Sequence, residues 1–169
     1  MELSDGFPPI ERPDARILVL GSLPGRKSIA QQQYYAHPQN AFWPIMRELF
    51  GIEGEYHHRC IQLSERQVAL WDVLKCSQRP GSLDSDIRMS SAQPNDFEVF
   101  FKHHPAIALV AFNGRKAEQM FGRLVNPAVT PPTIGQIGLP STSPAYAAMP
   151  FSGKLAAWRN AFLPLLEYE

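Results

Sequence analysis

Three stretches of this chain share one arrangement: an unbroken apolar run, a turn of small or polar residues, and then residues spaced for a helix. ILVLG at 17–21 closes on Gly21, QVALWDVL at 67–74 runs into a loop, and AIALVAFNG at 106–114 ends in an Asn-Gly turn. Runs that are apolar at every position suit strands covered on both faces, and strands alternating with helices build parallel βαβ units. The fold class this predicts is α/β. A fourth strand is expected at Gln136–Leu139, after the proline-rich NPAVTPPT. Helices are predicted from Asn40 through FWPIMRELF with Gly51 as the stop, over 95–104 begun by Asn95 or Asp96, and over 115–124. A closing helix over 154–168 would be bent or interrupted by Pro164.

A length of 169 residues fits one domain, residues 1–169, with a core large enough to fold without disulfides or metals. Lys plus Arg and Asp plus Glu balance at 16 each, so no excess of positive charge announces a nucleic-acid partner, and any such partner must be gripped locally. Cys60 and Cys76 make no framework of the secreted kind. The N-terminus has no basic and then apolar leader, and nowhere do about 18 apolar residues run together. A cytoplasmic protein with no membrane segment is expected. His57 with His58, and His103 with His104, are adjacent pairs rather than ligands at i, i+4, and are expected to be exposed. Two cysteines cannot supply a four-cysteine zinc or iron–sulfur site, so neither metal nor cofactor is expected.

Open α/β sheets bind ligands beyond the carboxyl ends of their strands. The segments there are GSLPG, LWDVL, FNG and LPSTSPAYA, rich in the small residues and prolines that let backbone amides approach a ligand. Ordinary strand-to-helix turns use the same residues, so each loop alone is open to a structural reading. YYAHPQNAFW at 34–43 adds a more pointed signal. Asn40 places an amide among aromatic rings, where leaving it unpaired costs on the order of 1–3 kcal/mol. It either caps the following helix or binds something, and the two roles are compatible. Asn113 has a similar alternative as half of an Asn-Gly turn.

These blocks resemble the uracil-DNA glycosylase superfamily, and within it the deoxyinosine (hypoxanthine) glycosylase branch. GSLPG at 21–25 is similar to the superfamily's first motif, HPQNAFW at 37–43 to the segment carrying a base-stacking Phe, and LPSTSPAYA at 139–147 to the DNA-wedging loop. LWDVL, RPGSLDSDI at 79–87 and FNGRKA at 112–117 resemble further blocks of the hypoxanthine branch. The resemblance implies a three-layer α/β/α sandwich with a short, mostly parallel sheet of about four strands. It also implies an enzyme that hydrolyses the bond between a deaminated base and deoxyribose in DNA; a monomer is expected.

A base inside a duplex cannot be reached, so the nucleotide must be turned out into a pocket, where an aromatic platform stacks on it. The resemblance makes Phe42 that platform; helical spacing alone would make it a core residue. Hydrolysis needs a placed water and donors aimed at the base. Mismatch-specific uracil glycosylases carry Asn at the third position of the first motif and other relatives carry Asp, where this chain has Leu23. The resemblance therefore assigns catalysis to Asn40, with Asn113 also in the site. Ser22, Leu23, Trp71 and Asp72 are expected to line the base pocket. Asp84 and Asp86, weighed with Asp72 as a carboxylate pair for acid and base catalysis, are explained as turn residues. DNA contacts are expected from Pro24, Gly25 and Arg26 in the first loop and from Ser141, Thr142 and Ser143 in the fourth, with Lys27 and either Arg79 or Lys154 as further cations. Pro144, Ala145 and Tyr146 are expected at the wedge. Two rivals remain at this level: a non-catalytic damage-sensing module, for which Leu23 would signal lost chemistry, and a nucleotide-binding enzyme, weakened by the absence of a phosphate-binding glycine motif.

Overall fold

The computed structural model describes residues 3–166. In chain order it contains β1 (Leu3–Asp5), β2 (Ile17–Gly21), α1 (Arg26–Gln31), α2 (Phe42–Phe50), α3 (Tyr56–Glu65), β3 (Val68–Asp72), β4 (Leu74–Gln78), β5 (Gln93–Pro94), α4 (Phe97–His103), β6 (Leu109–Asn113), α5 (Arg115–Leu124), β7 (Gly135–Leu139) and α6 (Phe151–Leu166). β2, β3, β6 and β7 form one parallel sheet in the order β3-β2-β6-β7. β1, β4 and β5 make a small antiparallel sheet beside it.

β2 shows why the apolar runs read as they do. All five of its residues are buried. Ile17 and Val19 point into one core with Phe42, Ile45 and Met46 of α2, Leu63 of α3, and Trp158 and Phe162 of α6. Leu18 and Leu20 point into the other with Phe97, Phe100 and Phe101 of α4 and Met120 and Phe121 of α5. Alternate side chains of a strand face opposite ways, so a strand between two helical layers must be apolar throughout. The architecture is a three-layer α/β/α sandwich.

The fourth strand and α5 lie where the sequence places them. LWDVL does not stay a loop: the chain breaks at Val73 and begins β4, which belongs to the small sheet. Asp96 caps α4, its carboxylate accepting from Val99 N, while Asn95 Nδ2 donates to Asp72 O. Gly51 ends α2 with φ of 70°, a conformation that favours glycine. The helix begins at Phe42, so Asn40 is not its formal cap; its Oδ1 nevertheless accepts from Phe42 N at 2.9 Å. The closing helix starts three residues before the expected Lys154 and continues through Pro164 to Leu166. Residues 167 and 168 of the expected helix lie outside the described residues. His104, expected on the surface, is buried; its Nδ1 lies 2.7 Å from Phe100 O and its ring stacks on Phe100. Among the described residues, no helix is long and apolar enough to cross a membrane.

Candidate active site

Beyond the carboxyl ends of the parallel strands lies a cavity of about 1090 Å³. It is walled by the first loop (22–26), the 82–85 segment and the fourth loop (141–148), with Tyr35, His37 and Asn40 on one side and Asp72 and Asn113 at the strand ends. Four loops and the YYAHPQNAFW segment do converge. The reason is local: in a parallel sheet every strand delivers its following loop to the same edge.

Asn40 is half-buried on the cavity wall. Its oxygen accepts from Phe42 N, while its NH2 group makes no hydrogen bond with any described group. Asn113 is more committed. Its Nδ2 donates to Thr142 Oγ1 and its Oδ1 accepts from Thr142 N, both at 2.9 Å, so the amide hooks the fourth loop to the end of β6. Ala41 N donates to Thr142 O at 2.9 Å, tying the Asn40 segment to the same residue.

Phe42 does not reach the cavity. It is fully buried between Trp43, Trp158 and Tyr35, with ring centroids 5.0, 5.9 and 4.6 Å away. Position one of a helix whose apolar face meets the sheet explains this, since the first turn already points inward. The expected pairing of Asn40 with Phe42 around a base is therefore corrected: Asn40 keeps its place, and the ring offered to the cavity is that of Tyr35, lying over Phe42. Tyr35 has φ of 55°, a left-handed conformation uncommon for a bulky residue and frequent at functional sites. Its ring is half-buried and its hydroxyl oxygen is shielded from solvent with no hydrogen bond of ordinary geometry, although the Asn113 amide lies close enough to favour its ionised form slightly. Burial, followed by the Asp72 and Asp84 charges, nevertheless pushes the phenol far above its usual range, so it is neutral.

Trp71 is likewise corrected. It is half-buried against Phe97 and Phe100 on the far face of β3, its indole N–H donating to Phe7 O at 3.1 Å. Its neighbour Asp72 points the other way, as strand alternation requires, and lines the cavity with only 4% exposure. Asp72 Oδ2 has no hydrogen-bond partner. Burial pushes this carboxyl up to about 7, against the opposing pull of Arg79, with Asp84 adding to the rise. A side chain at position 21 would meet Asp72 Oδ1 at 2.6 Å and the Tyr35 hydroxyl at 2.7 Å, so glycine there leaves room for both.

Ser22, Leu23, Pro24, Gly25 and Arg26 all line the cavity. Ser22 Oγ donates to Asp84 Oδ1. Arg79, considered above as a phosphate contact, is instead buried. Its guanidinium donates to Leu23 O and Pro24 O at 2.8 Å, to Leu83 O at 3.1 Å and to Asp84 Oδ1 at 3.0 Å. Lys154 is internal too: Nζ contacts Ser143 O at 3.3 Å and lies 5.3 Å from the Tyr146 ring. Arg26 and Lys27 remain exposed, though the Arg26 guanidinium also donates to Pro80 O at 2.8 Å. On the fourth loop Ser141, Ser143 and Pro144 are half-buried and Thr142 is buried, while Ala145 and Tyr146 stand exposed. Asp84 and Asp86 form the short turn foreseen for them, Asp86 Oδ2 accepting from Leu83 N at 3.1 Å. Tyr35 and His37 escaped the sequence reading of the site, the doubled tyrosine before Asn40 being the available signal, while the Ser82–Ser85 wall lies in the RPGSLDSDI block named above without a site role.

Comparison with known proteins agrees with this geometry. Residues 8–167 match the Uracil DNA glycosylase superfamily. The chain is 38% identical over 115 residues to a hypoxanthine DNA glycosylase of Methanosarcina barkeri (strain Fusaro), covering 66% of this chain and 72% of that protein. It is 39% identical, with the same coverage, to a hypoxanthine DNA glycosylase of Methanosarcina acetivorans. The solution NMR structure of a candidate uracil DNA glycosylase from Methanosarcina acetivorans superposes with a TM-score of 0.79 at 33% identity, over 99% of this chain and 100% of the other. The family match spans nearly the whole chain, the relatives and the solved structure agree with it, and the chain belongs to the uracil DNA glycosylase superfamily.

Proposed function

We propose that this DNA glycosylase removes deaminated bases, chiefly hypoxanthine, from DNA as a monomer, without a cofactor, in the first step of base excision repair. The observation that carries the reading is Asn40: an amide on the cavity wall with its NH2 group uncommitted, in a chain whose first loop has Leu23 where relatives hold a water-activating side chain. The everted base stacks against Tyr35. The Asn40 amide then places the attacking water on the sugar carbon and bonds the base as the glycosidic bond lengthens. No strong nucleophile is needed, because the bond breaks largely ahead of attack and the cost lies in the negative charge left on the base.

Asp72 faces the base from the strand end. A carboxyl near its midpoint at neutral pH can be present as the acid, which donates through one oxygen and accepts through the other. That pattern fits the N–H and C=O pair shared by hypoxanthine, uracil and xanthine. Asn113 acts through Thr142, keeping the fourth loop over the pocket. Ser141, Ser143 and the exposed Arg26 and Lys27 contact phosphates, with Tyr146 at the wedge. The test is release of free base from duplexes carrying hypoxanthine, xanthine, uracil or mismatched thymine. Hypoxanthine is released fastest, and Asn40→Ala lowers that rate roughly a hundredfold or more while DNA binding persists. Unchanged release by Asn40→Ala would remove this residue from the chemistry.

A further inference from the structure

Arg79 lines the cavity, yet its guanidinium is spent on the protein's own groups, with four hydrogen bonds to backbone carbonyls and a carboxylate. It is 9% exposed and lies beneath the first loop. Burial lowers its pKa while the charges of Asp84, Asp72 and Asp86 raise it, so the cation sits among carboxyls rather than in solvent. Two of its four hydrogen bonds take consecutive carbonyls of the first loop, Leu23 O and Pro24 O. No described peptide is cis, so each of these carbonyls faces away from the N–H of its own peptide. The Leu23 carbonyl is joined to Pro24, which has no N–H, and the Pro24 carbonyl is paired with Gly25 N–H, which has no described acceptor. The guanidinium thereby occupies two carbonyl oxygens of the cavity wall that would otherwise be free to turn. The same group fixes the opposite wall, through Leu83 O and Asp84 Oδ1, and Asp84 Oδ1 in turn receives Ser22 Oγ.

We propose that Arg79 is a positioning residue for base excision, one that preorganises the first loop by keeping the Leu23 and Pro24 carbonyls out of a site where negative charge develops on the departing base. The assignment rests on the glycosylase reading above. Carbonyl oxygens free to swing inward would oppose that charge, and a loop ordered only on binding would spend binding free energy at the step that needs it. Lysine cannot replace arginine here, because one ammonium lacks the planar fork that spans two carbonyls, a third carbonyl and a carboxylate.

The test compares wild type, Arg79→Lys and Arg79→Ala in single-turnover release of hypoxanthine, with near-ultraviolet circular dichroism as the check on folding. Both variants are expected to lose roughly tenfold to a hundredfold in rate with DNA affinity little changed. Millimolar guanidinium is expected to restore Arg79→Ala, and methylammonium or potassium at equal concentration is not. Folded Arg79→Lys releasing base at the wild-type rate would overturn the proposal, as would a loss in folded Arg79→Ala that guanidinium leaves untouched. Should Arg79→Ala fail to fold, Arg79→Lys decides alone. A second measurement is independent of activity: the Leu23 and Gly25 amide resonances of the free protein should move in Arg79→Lys far more than those of α5. If wild type releases no base at all, the glycosylase reading fails; unmoved amide resonances would refute the positioning role by themselves.

Discussion

The first loop of the cavity is fastened from beneath by a buried guanidinium that takes two of its consecutive carbonyls, whereas the fourth loop is held by the Asn113 amide pair, by Ala41 N on Thr142 O, by the Trp158 indole on Pro140 O and by an ammonium contact of 3.3 Å. Leu23 on the first lip is 5% exposed, while Tyr146 on the other is 37% exposed. The contrast separates two tasks. A wall that must present fixed groups to a base is built into the core, and a lip that must follow the shape of DNA is anchored at its base with its tip in solvent.

The most destabilising test of that contrast is Arg79→Met, which leaves three carbonyls and the Asp84 carboxylate without their donor. It should cost about 2–4 kcal/mol in denaturant unfolding, chiefly from the unpaired carbonyls. A cost near that of an ordinary surface change would erase the distinction between the lips. Asp72 probes the floor between them. Its folded pKa of about 7 stands above the ordinary carboxylate value, so the native state holds a proton that the unfolded chain has released. Stability therefore falls as pH rises from about 4 to about 7, and the loss is complete above that window. Asp72→Asn should accordingly raise stability by about 4 kcal/mol at pH 8 and by nothing measurable near pH 4. A gain of equal size at both values would refute the buried acid.

Asn113→Ala removes both bonds to Thr142 and strands its amide and hydroxyl, for about 1–3 kcal/mol. Its loss of base release should be partly relieved by long duplexes that press the fourth loop into place. Equal loss on short and long DNA would instead make Asn113 a direct participant in the chemistry. The smallest effect belongs to Lys154→Met. Its long Nζ contact predicts a change within about 1 kcal/mol, and a larger one would mean that the second lip is as firmly held as the first.

The layers were legible because a two-sided sheet leaves a mark that one residue type at a time can carry, as in ILVLG. The small sheet was not: β1 and β5 are three and two residues long, too short for any period to show. At the site, Asn40, Asn113 and Asp72 were readable as polar residues in apolar or turn settings. Phe42 and Tyr35 exchanged places because both are aromatics a few positions apart, and the difference lies in a left-handed backbone at Tyr35 that composition does not encode. Arg79 and Lys154 were misread for a related reason. A cation in a loop looks alike in sequence whether it faces phosphate or the underside of its own backbone.

The internal stationing of these two cations reaches beyond the loops they fasten. A chain of zero formal net charge whose Arg79 and Lys154 are occupied indoors is expected to displace few counterions on meeting a duplex. Its affinity should decline gently with ionic strength, and its encounters owe little to long-range steering. Such a protein discriminates among nucleotides by what fits once it has arrived, and the concentration of salt around it becomes a minor variable.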